Sequence, residues 1–489
     1  MTAAYELCKV GVPCTVLEKD SRVGGLARTV EYKGYRFDIG GHRFFTKVKA
    51  VDDVWREILP PTEFRRRKRL SRIYYRGRFF EYPLRIWSTL KNLGPLDSLW
   101  ILASYVRSKI SPSREEKNVE QWISNRFGRR LYEIFFKTYT EKVWGIPCRE
   151  ISAEWAAQRI QGLSLAAAIR NALGRTFHRR GPLIKTLIDE FDYPNLGPGM
   201  MWQRAAEIVT AKGVPVRRRA RVVRILRGDG GVDAVEVESA GRRERIAGTH
   251  FISTLPIVEL IEMLDPPAPP ETRAAAARLR YRDFLTVALI VKRSSVFPDN
   301  WLYIHDPTVR LGRIQNYKNW SADMVPDPTR TCLGLEYFCF EHDALWDSSD
   351  ASLIELATSE VVRLGLIRSE EVEDGTVVRV PKAYPVYDEA LAGSLATVRR
   401  FLEDELLNLQ LVGRNGTHHY NNQDHSMYGA MLAVRNLMGE RHDLWQVNVD
   451  ASYHETMGLA DPETSDTARL SAAQPRIPRR VQPEPARRP

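Results

Sequence analysis

The chain has 489 residues, 43% of them hydrophobic and 27% charged, which is a globular composition long enough for two packed domains. Its formal net charge of +11 suits a phosphate-bearing ligand or an anionic surface, and the absence of any zinc-finger, RRM or KH signature argues against nucleic acid. The five cysteines (Cys8, Cys14, Cys148, Cys332, Cys339) form no C-x-x-C pair and no metal spacing, so reduced thiols and a cytoplasmic setting are expected, with no secretory signal or bilayer-spanning apolar run visible.

Taken in order, Thr2 to Lys9 reads as a helix ended by Gly11 and Pro13. Cys14 to Glu18 reads as a short buried strand ending in an acid. A helix followed by such a strand is the second half of a βαβ dinucleotide unit, whose first half is a strand running into G-x-G-x-x-G. Val23-Gly24-Gly25-Leu26-Ala27-Arg28 follows, then two alternating runs joined at Lys33-Gly34, a hairpin signal, the second ending in Asp38-Ile39-Gly40-Gly41-His42. Residues 83 to 190 are mostly helical by periodicity. Within them Ile86 to Ile110 is apolar between basic ends; it is read as a substrate-domain helix in preference to a membrane-surface one. The α/β pattern returns at 197–255, with a helix from Met201 to Lys212, strands around Val222 and Val232 to Ser239, and a buried strand stopped by Pro256. Strands alternate with one long helix, Ala351 to Leu364, between 280 and 385. A glycine-rich turn and a last amphipathic helix occupy 411–438, and the Pro- and Arg-rich stretch beyond 460 reads as a disordered tail.

Several residues carry chemistry. Glu18, at a strand end, suits the two ribose hydroxyls of an adenosine, or is simply a solvated acid. Gly24 and Gly25 let amides approach a pyrophosphate that Arg28 neutralises; the bland alternative is a plain turn. Gly40-Gly41-His42 lets a flat ring lie against backbone, with His42 either touching that ring or buried and satisfied. His418-His419-Tyr420-Asn421-Asn422-Gln423-Asp424-His425 invites a metal reading, but no second ligand cluster exists. No metal is therefore expected, and the segment is read as a loop entering a helix whose N-terminus holds ring oxygens, with Asp424 as the N-cap in the bland alternative.

These stretches, with Glu18-Lys19, Ser253-Thr254-Leu255-Pro256 and Gly413-Arg414, resemble the FAD-binding landmarks of the amine-oxidase and protoporphyrinogen-oxidase superfamily, in order, up to about residue 440. Within it the chain is most similar to UDP-galactopyranose mutases of the fungal type, through Phe45, Arg78 to Pro83, Lys142 to Pro147, Trp155 with Arg159, Gln315-Asn316-Tyr317, Tyr384-Pro385 and Tyr420 with Asn422 to His425. The resemblance implies FAD as cofactor, held by Glu18, Lys19, Gly24, Gly25, Leu26, Ala27, Arg28, Gly40, Gly41, His42, Val222, Gly413, Arg414, Asn422, Gln423 and Asp424. It implies a reaction in which the reduced flavin's N5 attacks a sugar's anomeric carbon and UDP leaves, with no net redox change. Arg159 and either Arg310 or Arg313 would screen the diphosphate, with Tyr384 and Tyr420 bonding it and His42 beside the ring. Phe45, Tyr82, Trp144 and Tyr317 would complete the substrate site. One departure is Tyr82-Pro83-Leu84-Arg85, where the fungal enzymes have Tyr-Pro-Phe-Gln. The resemblance also places the opening glycine-rich motif just upstream of Thr2, so the first strand is missing and Met1 is read as a mis-assigned start.

The expected fold is α/β: a discontinuous Rossmann-like FAD-binding domain (1–82, 197–265, 405–440) with an inserted helical and β-sheet substrate domain (83–196, 266–404). The expected function is a flavoenzyme acting on a nucleotide-sugar-like substrate in polysaccharide chemistry. The rivals are an oxidoreductase of the protoporphyrinogen-oxidase or desaturase kind on an apolar substrate, and a truncated pseudo-enzyme. Oligomeric state is left open, and peripheral membrane contact is not favoured.

Overall fold

The computed structural model describes residues 1–82, 84, 86–153 and 190–448; Arg159 and the expected tail lie outside them. The helix Thr2–Lys9 leads into the strand Val16–Leu17, which pairs in parallel with Val216–Arg217. A second parallel pair joins Phe251–Ser253 to Leu409–Leu411. Each pair unites segments distant in sequence, as a discontinuous cofactor domain requires, and no strand among the described residues links the two pairs. The helices Thr2–Lys9, Pro198–Ala211 and Gln423–Leu437 share one core, in which Tyr5, Trp202, Met427 and Met431 meet Val54 and Trp55. The hairpin Thr29–Tyr32/Tyr35–Asp38 turns at Lys33-Gly34, both at positive φ as a right-twisted two-residue turn demands.

The largest element is a seven-stranded sheet. In order its strands are Val372–Pro385, Tyr281–Val291, Thr331–Cys339, Arg313–Asn316, Trp301–Ile304, Ser71–Tyr75 and Arg78–Glu81. Neighbours are antiparallel except Trp301–Ile304, which runs parallel to Ser71–Tyr75. All eleven residues of Tyr281–Val291 are buried, because both faces of the sheet are covered. On one face Leu285, Leu289 and Leu335 meet Leu353, Ala357 and Val361 of the helix Asp350–Arg363. On the other, Phe284, Phe338 and Tyr384 join the core of the helical layer built by Val119–Phe127, Arg129–Tyr132 and Thr138–Trp144. Residues 71–81, grouped from sequence with the segment 1–82, supply two strands of this sheet: register pairs Trp301 with Ser71 and Tyr303 with Ile73. Their hydrogen-bonding partners, not their place in the chain, decide where they pack.

A separate four-stranded sheet carries Val222 on Arg221–Gly228, paired with Val237 and away from the cleft described next. All five cysteines are free thiols, three of them buried.

Candidate active site

The hairpin, the large sheet and the last helix converge on one cleft. Its lining comprises Leu26, Ile39, Gly40, Gly41, His42, Arg43, Phe45, Phe284, Arg313, Ala383, Tyr384, Arg414, Tyr420, Asn422, Gln423 and Asp424. Twelve of these were singled out from sequence.

The floor is set by Asp38. Its carboxyl accepts from Thr29 Oγ1 at 2.8 Å and from the Tyr193 hydroxyl, while its carbonyl accepts from the Tyr317 hydroxyl at 2.6 Å. These anchors hold Ile39-Gly40-Gly41 against the sheet. A Cβ on Gly41 would lie 3.2 Å from Gln315 Nε2 and 3.4 Å from Trp320, so the backbone presses too closely on the sheet for a side chain there. Tyr317 is thus a fully buried support of the floor and not, as the resemblance implied, a substrate-site residue: its hydroxyl is spent on Asp38.

The wall is a cationic and phenolic cluster. Arg313 Nε donates to Glu336 Oε2 at 2.5 Å and its Nη2 to the Tyr384 hydroxyl at 3.0 Å. The other oxygen of Glu336 accepts from Gln315 Nε2 at 2.9 Å, which fixes the carboxylate. Burial opposes the charge on Arg313, but Glu336 and the neighbouring tyrosines outweigh it and hold its pKa well above the ordinary arginine value. Tyr384 stacks on Tyr420 with ring centroids 5.5 Å apart and planes 14° from parallel. Arg414 lies 4.6 Å from the Tyr420 centroid and donates to the Asn421 and Ala383 carbonyls at 3.0 and 2.9 Å, clamping the stack. Burial drives the Tyr384 phenol upward against the pull of Arg313, so it stays a neutral donor. Trp144 sits behind this wall, edge-on to Tyr384 and Tyr387 at 6.4 and 6.0 Å; it supports the tyrosines and does not line the cleft.

Of the two arginines the sequence left open, Arg313 faces the cleft, whereas Arg310 is exposed and outside the lining, with its backbone N–H donating to Glu360. Tyr82 is also outside the lining, packed on Tyr303 at 4.9 Å with Arg69 over its ring. Residues not foreseen are Arg43, Ile39, Phe284 and Ala383, with Glu336 beneath them. A lone acid inside the apolar run Thr331–Cys339 was the signal for Glu336; nothing marked Phe284, one buried residue among eleven.

The third side is the N-terminus of Gln423–Leu437. Its N-cap is Asn422, not Asp424, and the Asn422 N–H donates to His425 Nδ1 at 3.1 Å in a capping box. The three histidines of this segment therefore face different partners: His418 meets the Tyr281 ring, His419 the Asn448 carbonyl, and His425 the helix start.

The cleft fits an isoalloxazine ring. Backbone at Gly40 and Gly41 offers a flat bed, and three buried polar groups, His42 Nδ1 with Gln423 Nε2 and Oε1, have no partner among the described residues. Such groups are costly unless a ligand satisfies them. Burial, then the charges of Arg414 and Arg313, lower the His42 pKa to about 3, so it is neutral. Glu18, read as an adenosine acceptor, Gly24, Gly25 and Arg28, read as holding the pyrophosphate, and Lys19, Ala27 and Gly413, read with them as FAD-binding, lie outside the cleft lining. Glu18 ends its strand with Oε1 accepting from the Asp20 N–H at 2.9 Å, and burial raises its pKa. Gly24 and Gly25 adopt φ of 113° and 54°, a turn open to glycine, and Arg28 pairs with Asp20 at 2.9 Å.

The fold is shared with known flavoproteins. It is similar to the crystal structure of reduced UDP-galactopyranose mutase, with 23% identity, a TM-score of 0.80, and 93% of this chain and 96% of that one covered. It is similar to a protein named as a candidate protoporphyrinogen oxidase from Exiguobacterium, at 16% identity and a TM-score of 0.66, over 89% and 95% of the chains. A cyclohexylamine oxidase from Brevibacterium oxydans matches at 15% identity and a TM-score of 0.57, over 89% and 96%. FAD is the cofactor that the family relationship specifies. Residues 1–430 match the family of flavin containing amine oxidoreductases, and the chain belongs to it.

Proposed function

We propose that the cleft binds a nucleotide-sugar diphosphate, in a mutase-like reaction. The observation that carries the reading is Arg313, half-buried in the cleft wall, fixed by Glu336 and bonded to Tyr384, on a wall shared with Tyr420 and Arg414. Three guanidiniums and one carboxylate, Asp424, line the cleft, which suits an anionic ligand better than an uncharged isoprenoid. Gly40, Gly41, His42 and Gln423 would hold the flavin ring, and Glu18, Gly24 and Gly25 the rest of FAD. When bound and reduced, a flavin supplies a nucleophilic ring nitrogen.

The chain's own residues do the remaining work. Arg313 presents a pre-oriented fork to phosphate oxygens, so negative charge developing on a departing diphosphate meets donors already in place. Tyr384 accepts from Arg313 and keeps its own O–H for the ligand. Neutral His42 adds a hydrogen-bonding atom without adding charge. Arg159, outside the described residues, is proposed as the second phosphate-binding arginine on the resemblance alone.

The test is a titration of FAD-loaded protein with UDP, read by flavin absorbance. Arg313→Ala should weaken UDP by about 1.5–3 kcal/mol, as loss of a charged hydrogen bond does, with flavin content unchanged. Wild-type protein whose flavin spectrum ignores UDP would overturn the reading in favour of an apolar substrate.

A further inference from the structure

The helix Pro95–Ile110 has an apolar side with no partner among the described residues. Leu96, Leu99, Trp100, Leu102, Val106 and Ile110 are all exposed, with Leu96 at 77%, Trp100 at 67% and Ile110 at 80%. At 3.6 residues per turn they fall within one arc of about 160°. The opposite side is firmly docked. Ile101 is 1% exposed, Ser104 Oγ accepts from the Arg130 N–H at 2.9 Å, and Gly128 comes so close that a Cβ there would lie 2.8 Å from Tyr105 Cα. The apolar arc is therefore turned outward by tight packing behind it.

The helix itself is basic in balance: Pro95–Ile110 carries Arg107 and Lys109 against one acid, Asp97, which Arg130 neutralises at 2.7 Å. Lys91 precedes it and Arg114 follows it, and the next acids, Glu115 and Glu116, are paired with Lys117 and Arg126. Lys91, Arg107 and Arg114 are exposed, and Arg107 falls on the apolar arc itself, where its stem can lie along the helix while its head reaches outward. An apolar stripe bearing tryptophan and leucine, with basic residues on and beside it, is the pattern of a helix lying in the headgroup layer of a membrane. A second copy of the chain would bring the same cations face to face. No described helix is long and apolar enough to cross a bilayer, so contact would be confined to one leaflet.

We propose that Pro95–Ile110 is a docking surface for an anionic lipid membrane, with Leu96, Leu99, Trp100, Val106 and Ile110 entering the interface and Lys91 and Arg107 meeting lipid phosphates. The proposal does not depend on which substrate the cleft takes.

The experiment is flotation of the FAD-loaded full chain with vesicles of phosphatidylcholine alone or mixed with phosphatidylglycerol, at low and high salt. The wild type should float with the mixed vesicles, less so at high salt. The double variant Leu99→Glu/Trp100→Glu, checked for flavin content and circular dichroism, should lose at least about tenfold in bound fraction, since charged side chains would have to enter the interface. Mixed vesicles should also shift the tryptophan emission of the wild type to shorter wavelength, and Trp100→Phe should diminish that shift. A wild type that ignores both vesicle types, or a double variant that floats like the wild type, would overturn the proposal. So would light scattering that shows a wild-type dimer becoming monomeric in the double variant, which would assign the face to a second copy.

Discussion

Asp38 shows how a single carboxyl can support a site it does not enter. Burial raises its pKa from 3.8 to about 7, against the bonds from Tyr193 and Thr29 that favour the charged form. A group whose pKa is raised on folding contributes stability that is fully present below its unfolded pKa and is lost as pH rises through the folded value. Between pH 3.8 and about 7 the wild type should therefore lose stability that an Asp38→Asn variant keeps, by an amount on the order of 4 kcal/mol at the ceiling. Urea unfolding of both proteins across that window measures the difference, and a constant difference would mean that Asp38 does not titrate there. Single residues were legible from sequence where glycine marks a backbone need, as at Gly40 and Gly41, which the structure places in the cleft lining. They were not where facing decides. Arg310 and Arg313 are three residues apart and chemically alike, and only the pairing of Arg313 with Glu336 across the sheet separates them.

Helices and strands were the most readable scale. The helices Thr2–Lys9 and Asp350–Arg363 and the strand Gly231–Ser239 lie close to their expected bounds, because periodicity and turn residues are local signals. Two glycines in helical segments now separate local propensity from packing. Gly393 lies inside the helix Leu391–Glu405, and a Cβ added there would meet nothing within 4 Å, so Gly393→Ala should stabilise by about 0.5–1 kcal/mol through reduced chain entropy. Gly128, at φ of 84° and pressed on Tyr105, should instead cost about 1–3 kcal/mol when replaced by alanine. Thermal and denaturant unfolding of the two variants should shift in opposite directions; a stabilised Gly128→Ala would mean that Pro95–Ile110 is not seated as described.

At the scale of the whole molecule, the titration with UDP and the flotation with vesicles probe separate regions, so Arg313→Ala should leave flotation intact and Leu99→Glu/Trp100→Glu should leave UDP binding intact. The sequence by itself determined the α/β class, the discontinuous cofactor segments and the flavin family, because glycine turns, strand-end acids and hydrophobic periods are written in adjacent residues. Tertiary structure alone decided that residues 71–81 join the large sheet, that Asn422 and not Asp424 caps the last helix, that Tyr317 and Trp144 support the cleft from behind, and that one side of Pro95–Ile110 faces outward. Each of these depends on which distant segment covers a given face, and the free energy of burial and hydrogen bonding that settles it comes from contacts between residues far apart in the chain.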